Sequence, residues 1–216
     1  GGGGGGWREE WEVPLVYCWG VVCFVSGLPL IFLVGDSIAY WPYRSWASRP
    51  ANGPEPFRLV SFCRRGARIR DIKVHTEQAW REWGQLPDLC IVHAGTNDLG
   101  QLPCKEVREE LAGLWTFLGC LPGRTQFLFS DITPRPQGNH PADWDPRSVK
   151  KMDERRTDTN RFGRRLAFRS GGGFIRHPDI RLDSAELFRA DGLHLSAAGG
   201  EQFMRDIVKV IGFWLR

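Results

Sequence analysis

The sequence predicts an α/β protein whose mostly parallel sheet is covered by helices on both faces. Three observations carry this reading. Five short apolar runs recur along the chain, longer amphipathic or polar stretches separate them, and turn residues punctuate the junctions. Short apolar runs read as buried strands, and their alternation with helix-length stretches reads as successive βα units.

In chain order, the first strand is Leu30–Val34, which follows Pro29 and runs into the turn Gly35-Asp36-Ser37. Phe57–Phe62, Leu89–His93, Gln126–Phe129 and Gly173–Ile175 supply the other four. Arg68–Trp83, Lys105–Leu118, Ser148–Phe168 and Ala197–Trp214 have helix length and polar faces. In the last of these Phe203, Ile207, Val210, Ile211 and Trp214 recur every three or four residues, which puts them on one helix face. Arg44–Glu55, rich in Pro, Ser and Trp, and Pro134–Pro146, with four prolines, are too punctuated for either element. Both are expected as loops overhanging the carboxyl ends of the strands, where a parallel sheet places its ligand site.

At 216 residues the chain fits one generous domain, since about 150 residues make a typical one. Residues 1–28, a Gly- and Trp-rich segment, are set apart from a core domain at 29–216. With 42% hydrophobic and 25% charged residues the composition is that of a globular protein, which excludes a disordered or fibrous chain. A net charge of +4 is too small to argue for nucleic acid by itself. The six cysteines form no C-x-x-C pair and no metal-ligand spacing with histidine, so no metal and no cofactor is expected. They read as small buried hydrophobes in a reducing compartment. Val13 to Gly35 carries no charge, but Pro14 and Pro29 interrupt it, and taking away the first strand leaves about sixteen residues, short of a membrane span. Glu9, Glu10 and Glu12 oppose a signal peptide, so a cytoplasmic protein is the default, with an N-terminal anchor as the alternative.

Three fragments carry chemistry. Ser37 stands at the carboxyl end of the first strand, where a nucleophile is useful. Asp191-Gly-Leu-His194 precedes a helix starting near Ser196, so the carboxylate can fold back on the imidazole Nδ1–H and leave Nε2 to take the Ser37 proton. Gly95-Thr-Asn97-Asp98 follows the third strand, and the Asn97 amide can donate to a developing oxyanion. Each fragment alone is weak, because a serine on such a turn is more often a helix cap and an Asn in G-x-N-D more often turn chemistry. Their common placement at strand ends is what raises their value.

In that order the fragments resemble the SGNH hydrolases, the GDSL-like esterases and lipases. The four blocks would centre on Ser37 in GDSI, Gly66 in RRGARI, Asn97 in GTND and His194 in DGLH. A closer similarity, to vertebrate SGNH esterase-domain proteins related to the first-ORF esterase domain of LINE-type retrotransposons, rests on IVHAGTNDLG, FSDITPR, the pattern Arg155, Arg156, Asn160, and LFRADGLHLSAAG. The resemblance spans roughly 30–211. It implies a three-layer α/β/α sandwich with a five-stranded, mostly parallel, flavodoxin-like sheet, and metal-free hydrolysis of small acyl esters at a shallow site. Ser37 would be the nucleophile, His194 the base and Asp191 its orienting partner. The Ser37 and Gly66 backbone N–H groups and the Asn97 side chain would form the oxyanion hole.

Other polar residues have plainer readings. His93 lies in an apolar strand and is expected as a buried structural histidine bonded to neighbouring backbone, while His140 and His177 are expected to face solvent. Asp98 could touch the site, but a cap on the turn that follows it is favoured, and Asp36 is expected to fix the turn around Ser37. Arg135 would lie at the catalytic edge, within reach of an acidic substrate group. Trp41, Trp46 and Trp144 would pack in the core or lid, or wall an acyl site. The arginines between 155 and 165 read as a solvated helix face. The competing hypothesis is a domesticated retroelement domain that uses them to bind RNA and retains the fold as an assembly module. A small ester substrate is the favoured partner, and nothing fixes the oligomeric state.

Overall fold

The structure, a computed structural model, describes residues 27–50, 55–136 and 146–216. Nearly all of the 1–28 segment, the tip of the Arg44–Glu55 stretch and most of Pro134–Pro146, with His140 and Trp144, lie outside the described residues. The strands are β1 (Leu30–Gly35), β2 (Arg58–Cys63), β3 (Leu89–His93), β4 (Gln126–Ser130) and β5 (Gly173–Ile175). The helices are α1 (Ser37–Ala47), α2 (Ile69–Glu82), α3 (Thr96–Leu99), α4 (Cys104–Gly119), α5 (Pro146–Arg169) and α6 (Ala197–Trp214). The strands form one sheet in the order β2-β1-β3-β4-β5, every pair parallel. All five expected strands are present, as is the expected α/β/α layering.

The layering follows from the two-residue period of the strands. Leu30, Phe32 and Val34 point to one face and pack with Ile72 and Trp80 of α2, Leu111 and Leu114 of α4 and Ala167 of α5. Ile31 and Leu33 point to the other face and meet Ile38 and Tyr43 of α1 and Phe203, Ile207 and Ile211 of α6. Covered on both sides, β1 is buried at every position, which is why it reads as a continuous apolar run.

One element departs from the expectation. The residues after Ser37 form α1, which carries Pro42 in its interior and takes in the start of the stretch expected as a loop, 44–55. Pro42 has no N–H to give the Ile38 carbonyl, a cost of about 3 kcal/mol in a helix interior. Two features offset it. Asp36 caps the helix, accepting the Ile38 N–H at 2.9 Å, and Pro42 is buried against α6, where a Cβ added to Gly200 would stand 3.4 Å from Pro42 Cγ. Trp46 therefore sits on a helix and packs against the core.

The cysteines divide. Cys63 and Cys90 are buried as expected, but Cys104 is only half-buried and Cys120 is exposed, because both lie at the ends of α4. Among the described residues no helix is long and apolar enough to cross a membrane.

The strand order places the site. From β1 the chain crosses to β2 by way of α1 on one face, then returns past β1 to β3 by way of α2 on the other. The connections thus diverge at the carboxyl ends of β1 and β3, which opens the crevice where such sheets bind ligands.

Candidate active site

β1 ends at Gly35, beside Cys63 of β2 and His93 of β3. A Cβ on Gly35 would lie 2.8 Å from the His93 carbonyl oxygen, so only glycine lets the strands close here. Asp36 caps α1 and Ser37 is its first residue, 8% exposed. The Ser37 N–H is thus one of the unpaired donors of a helix first turn, at the positive end of the helix dipole.

The second part of the site is a small hairpin. Phe188 and Leu195 form an antiparallel bridge, and Arg189 N–H donates to the His194 carbonyl at 2.8 Å. Gly192, at φ +60, turns the loop in the left-handed region that other residues enter only with strain. Asp191 Oδ1 accepts the N–H groups of Leu193 and His194, both at 2.9 Å, and Oδ2 faces His194 Nδ1 at 2.8 Å. Burial pushes the Asp191 carboxyl upward, but the His194 ring and the two backbone N–H groups outweigh it and hold the group below its ordinary range. An ionised Asp191 only accepts, so the proton is on Nδ1 and Nε2 is the acceptor. His194 Nε2 lies 3.1 Å from Ser37 Oγ. The three residues chosen from sequence are therefore one hydrogen-bonded run.

The oxyanion candidates come from the loops after the two strands flanking β1. Gly66 is exposed in a turn three residues beyond β2, and Asn97 is the second residue of α3, four beyond β3. Asn97 Nδ2 donates to the carbonyl of Ala67 at 2.9 Å, which ties the side chain to the residue beside Gly66. Its second N–H makes no hydrogen bond within the described residues.

Around these groups four expectations change. Asp98 caps α2, not its own turn: its Oδ2 accepts the Ile69 N–H at 3.1 Å across the crevice. Arg135 is buried, donates to the Thr96 carbonyl and lies within the field of Asp36, so it braces the site from beneath. His93 is buried, but its Nδ1 faces the Ser130 hydroxyl at 3.0 Å, not backbone. His177, expected in solvent beside Pro178, is buried between Ser130 and Asp206 of α6. The polar character of Arg176-His177-Pro178-Asp179 concealed this, because the partner carboxylate is 29 residues away. Trp41 stands one helical turn after Ser37, with the guanidinium groups of Arg65 and Arg189 each 5.6 Å from its ring centroid. Burial raises Asp36 to about 7, against the Ile38 N–H and the Arg135 charge, which lower it. Among the described residues no group of His, Cys, Asp and Glu could hold a metal ion.

The sequence profile of the GDSL-like Lipase/Acylhydrolase family matches residues 33–202. No curated protein matches the chain. Several solved structures share its fold. A Streptococcus pneumonia protein provisionally described as a platelet activating factor is 21% identical, covers 87% of this chain and 86% of its own, and gives a TM-score of 0.65. The psychrotrophic esterase EstA from Pseudoalteromonas sp., solved with monoethylphosphonate as inhibitor, is 14% identical over 86% of this chain and 98% of its own, with a TM-score of 0.60. An extracellular lipase from Streptomyces rimosus is 14% identical over 84% and 99%, also at 0.60. The profile spans most of the chain, from within β1 to within α6, and so takes in every strand and both arms of the site: this chain belongs to the GDSL-like lipase/acylhydrolase family and is an SGNH-type hydrolase.

Proposed function

We propose that the chain is a serine esterase that hydrolyses small acyl, acetyl-type carboxylic esters without a metal. The observation that carries the reading is the unbroken run from Ser37 Oγ to His194 Nε2 at 3.1 Å and from His194 Nδ1 to Asp191 Oδ2 at 2.8 Å. Ser37 attacks the ester carbonyl as His194 takes its proton, and Asp191 stabilises the imidazolium that forms. The tetrahedral oxyanion is held by the Ser37 and Gly66 N–H groups and by the Asn97 amide hydrogen that Ala67 does not occupy. Collapse expels the alcohol, which receives the proton from His194. Water then attacks the acyl-Ser37 ester by the same route, releasing the acid and restoring the serine.

The base and its orienting partner stand at the surface, where a small ester can reach them. Nearly half of the Asp191 side chain and about a quarter of the His194 side chain are exposed. Kinship with the retrotransposon-related esterase domains belongs to the same proposal and rests on the motifs alone. Against an RNA-binding role, most arginines of α5 are already engaged. Arg155 bonds the Leu102 carbonyl, Arg156 Asp153, Arg161 Asp158, and Arg164 both oxygens of Asp131.

The test is hydrolysis of p-nitrophenyl acetate and butyrate by the full chain beside Ser37→Ala and His194→Ala, with circular dichroism to show that all three are folded. We expect turnover in the parent and background rates in both variants. Parent-like activity in either variant would overturn the proposal.

A further inference from the structure

Beneath the catalytic edge runs a second line of polar groups that the hydrolytic steps do not use. It begins at Asp206 of α6, whose Oδ1 accepts the Gln202 amide at 3.1 Å and whose Oδ2 faces His177 Nδ1 at 2.9 Å. His177 Nε2 lies 3.0 Å from the Ser130 hydroxyl at the end of β4, and Ser130 Oγ lies 3.0 Å from Nδ1 of His93 at the end of β3. His93 Nε2 makes no hydrogen bond and faces Asp36 Oδ1 at 4.0 Å. The His93 and Ser130 side chains are wholly buried and that of His177 nearly so. Phe203 of α6 packs on both rings, stacked on His177 at 4.3 Å and edge-on to His93 at 5.2 Å.

The donors in this line point one way. Asp206 only accepts, so His177 carries its proton on Nδ1 and offers Nε2 as an acceptor. The Ser130 O–H donates to it, and the one remaining role for Ser130 is to accept from His93 Nδ1–H. Burial holds His93 neutral, its pKa lowered to about 3. Free imidazole has no need to choose Nδ1–H, so two such tautomers in series are a consequence of this order.

The line runs from the His194 arm toward the Ser37 turn, by hydrogen bonds as far as His93 and by the pairing of His93 with Gly35 from there. Asp206 belongs to the helix that starts three residues after His194, and Asp36 immediately precedes Ser37. We propose that His93, Ser130, His177 and Asp206 are positioning residues, a buried array that sets the separation of the His194 arm from the Ser37 turn. Apolar side chains of the same volume would bury at least as favourably, but they slide over one another. Hydrogen bonds between buried groups do not, since a broken one strands its donor or acceptor away from water. The kinetic part of this inference rests on reading Ser37 and His194 as the reacting pair. Its spectroscopic part does not.

The test uses the full chain and Ser130→Ala, which removes the middle link with one atom, and His177→Phe, which keeps the stack on Phe203 and cuts both bonds. Nitrogen-15 histidine spectra of the parent should show His93 and His177 both protonated at Nδ1 and bare at Nε2. A displacement of about 1 Å at a reacting group costs roughly a hundredfold, so a smaller shift should lower kcat for p-nitrophenyl acetate about tenfold with KM within about twofold. In both variants the His194 Nδ1–H resonance should move. An Nε2–H tautomer at either buried histidine of the parent overturns the array, as does a folded variant with parental kcat or an unmoved His194 resonance. If the parent hydrolyses no ester, the function proposed above fails, while the tautomers and the His194 resonance still decide this one.

Discussion

Exchanging Asp191 for asparagine changes one atom and reverses the logic of the imidazole. The carboxamide oxygen will stay with the Leu193 and His194 N–H groups that Oδ1 now accepts at 2.9 Å, which turns the NH2 toward His194 Nδ1. A donor there forces Nδ1 to become an acceptor and moves the proton to Nε2, where it blocks transfer from Ser37. In a fully buried Asp–His pair this exchange costs about 10⁴-fold in kcat. Here 48% of the Asp191 side chain and 27% of the His194 side chain are exposed, so water can compensate a turned ring. We therefore expect a loss on the order of a hundredfold to a thousandfold, about 3–4 kcal/mol of barrier. Initial rates on p-nitrophenyl acetate, with Ser37→Ala as the floor, read it directly. Because the Asp191 carboxyl is held below its ordinary range, it is ionised throughout pH 5 to 8, so its own titration adds no pH dependence to the parent rate there. A variant within about threefold of the parent would refute the assignment of Asp191 as the group that sets the tautomer.

Other outcomes follow from the same geometry. Asn97→Ala removes a single oxyanion donor and should lower kcat about a hundredfold with little change in KM, read in the same assay. An unaffected kcat would remove Asn97 from the oxyanion hole. Asp36→Asn keeps a capping side chain but cannot ionise. The parent Asp36, raised by burial to about 7, loses its proton more readily unfolded than folded, so its presence costs stability progressively from about pH 4 to pH 7. The variant should melt close to the parent at pH 4 and gain on it toward pH 7, and a gap independent of pH would show that Asp36 is not held protonated. Gly35→Ala places a methyl 2.8 Å from the His93 carbonyl and should destabilise the fold by about 1–3 kcal/mol in urea unfolding, with a parental midpoint as the contrary result.

Strands and catalytic fragments were legible because their signals are local. β1 and β3 read as continuous apolar runs since they are covered on both faces, and Gly35-Asp36-Ser37 and Asp191 to His194 each fold as a turn with its own capping bonds. What escaped is set by partners distant in the chain. α1 extends into the stretch read as a loop from residue 44, and its interior Pro42 is tolerated through the close approach of Gly200. His177 resembled a surface residue because Ser130 and Asp206 lie 47 and 29 positions away. Asp98 caps a helix that begins 29 residues upstream, a bond that no turn rule anticipates. The Asn97 amide reaches Ala67 in the same manner, so its place at the edge was readable but its orientation was not.

The 157 residues that separate the nucleophile from its base have a consequence for how activity arises. A chain emerging from the ribosome presents Ser37, its capped turn and β1 well before the imidazole, which arrives with the hairpin that carries it and is followed by α6 and its seat on α1. Until then the serine is an ordinary alcohol. Hydrolysis is thus a gauge of folding through α6, silent in every intermediate in which that helix has not yet docked.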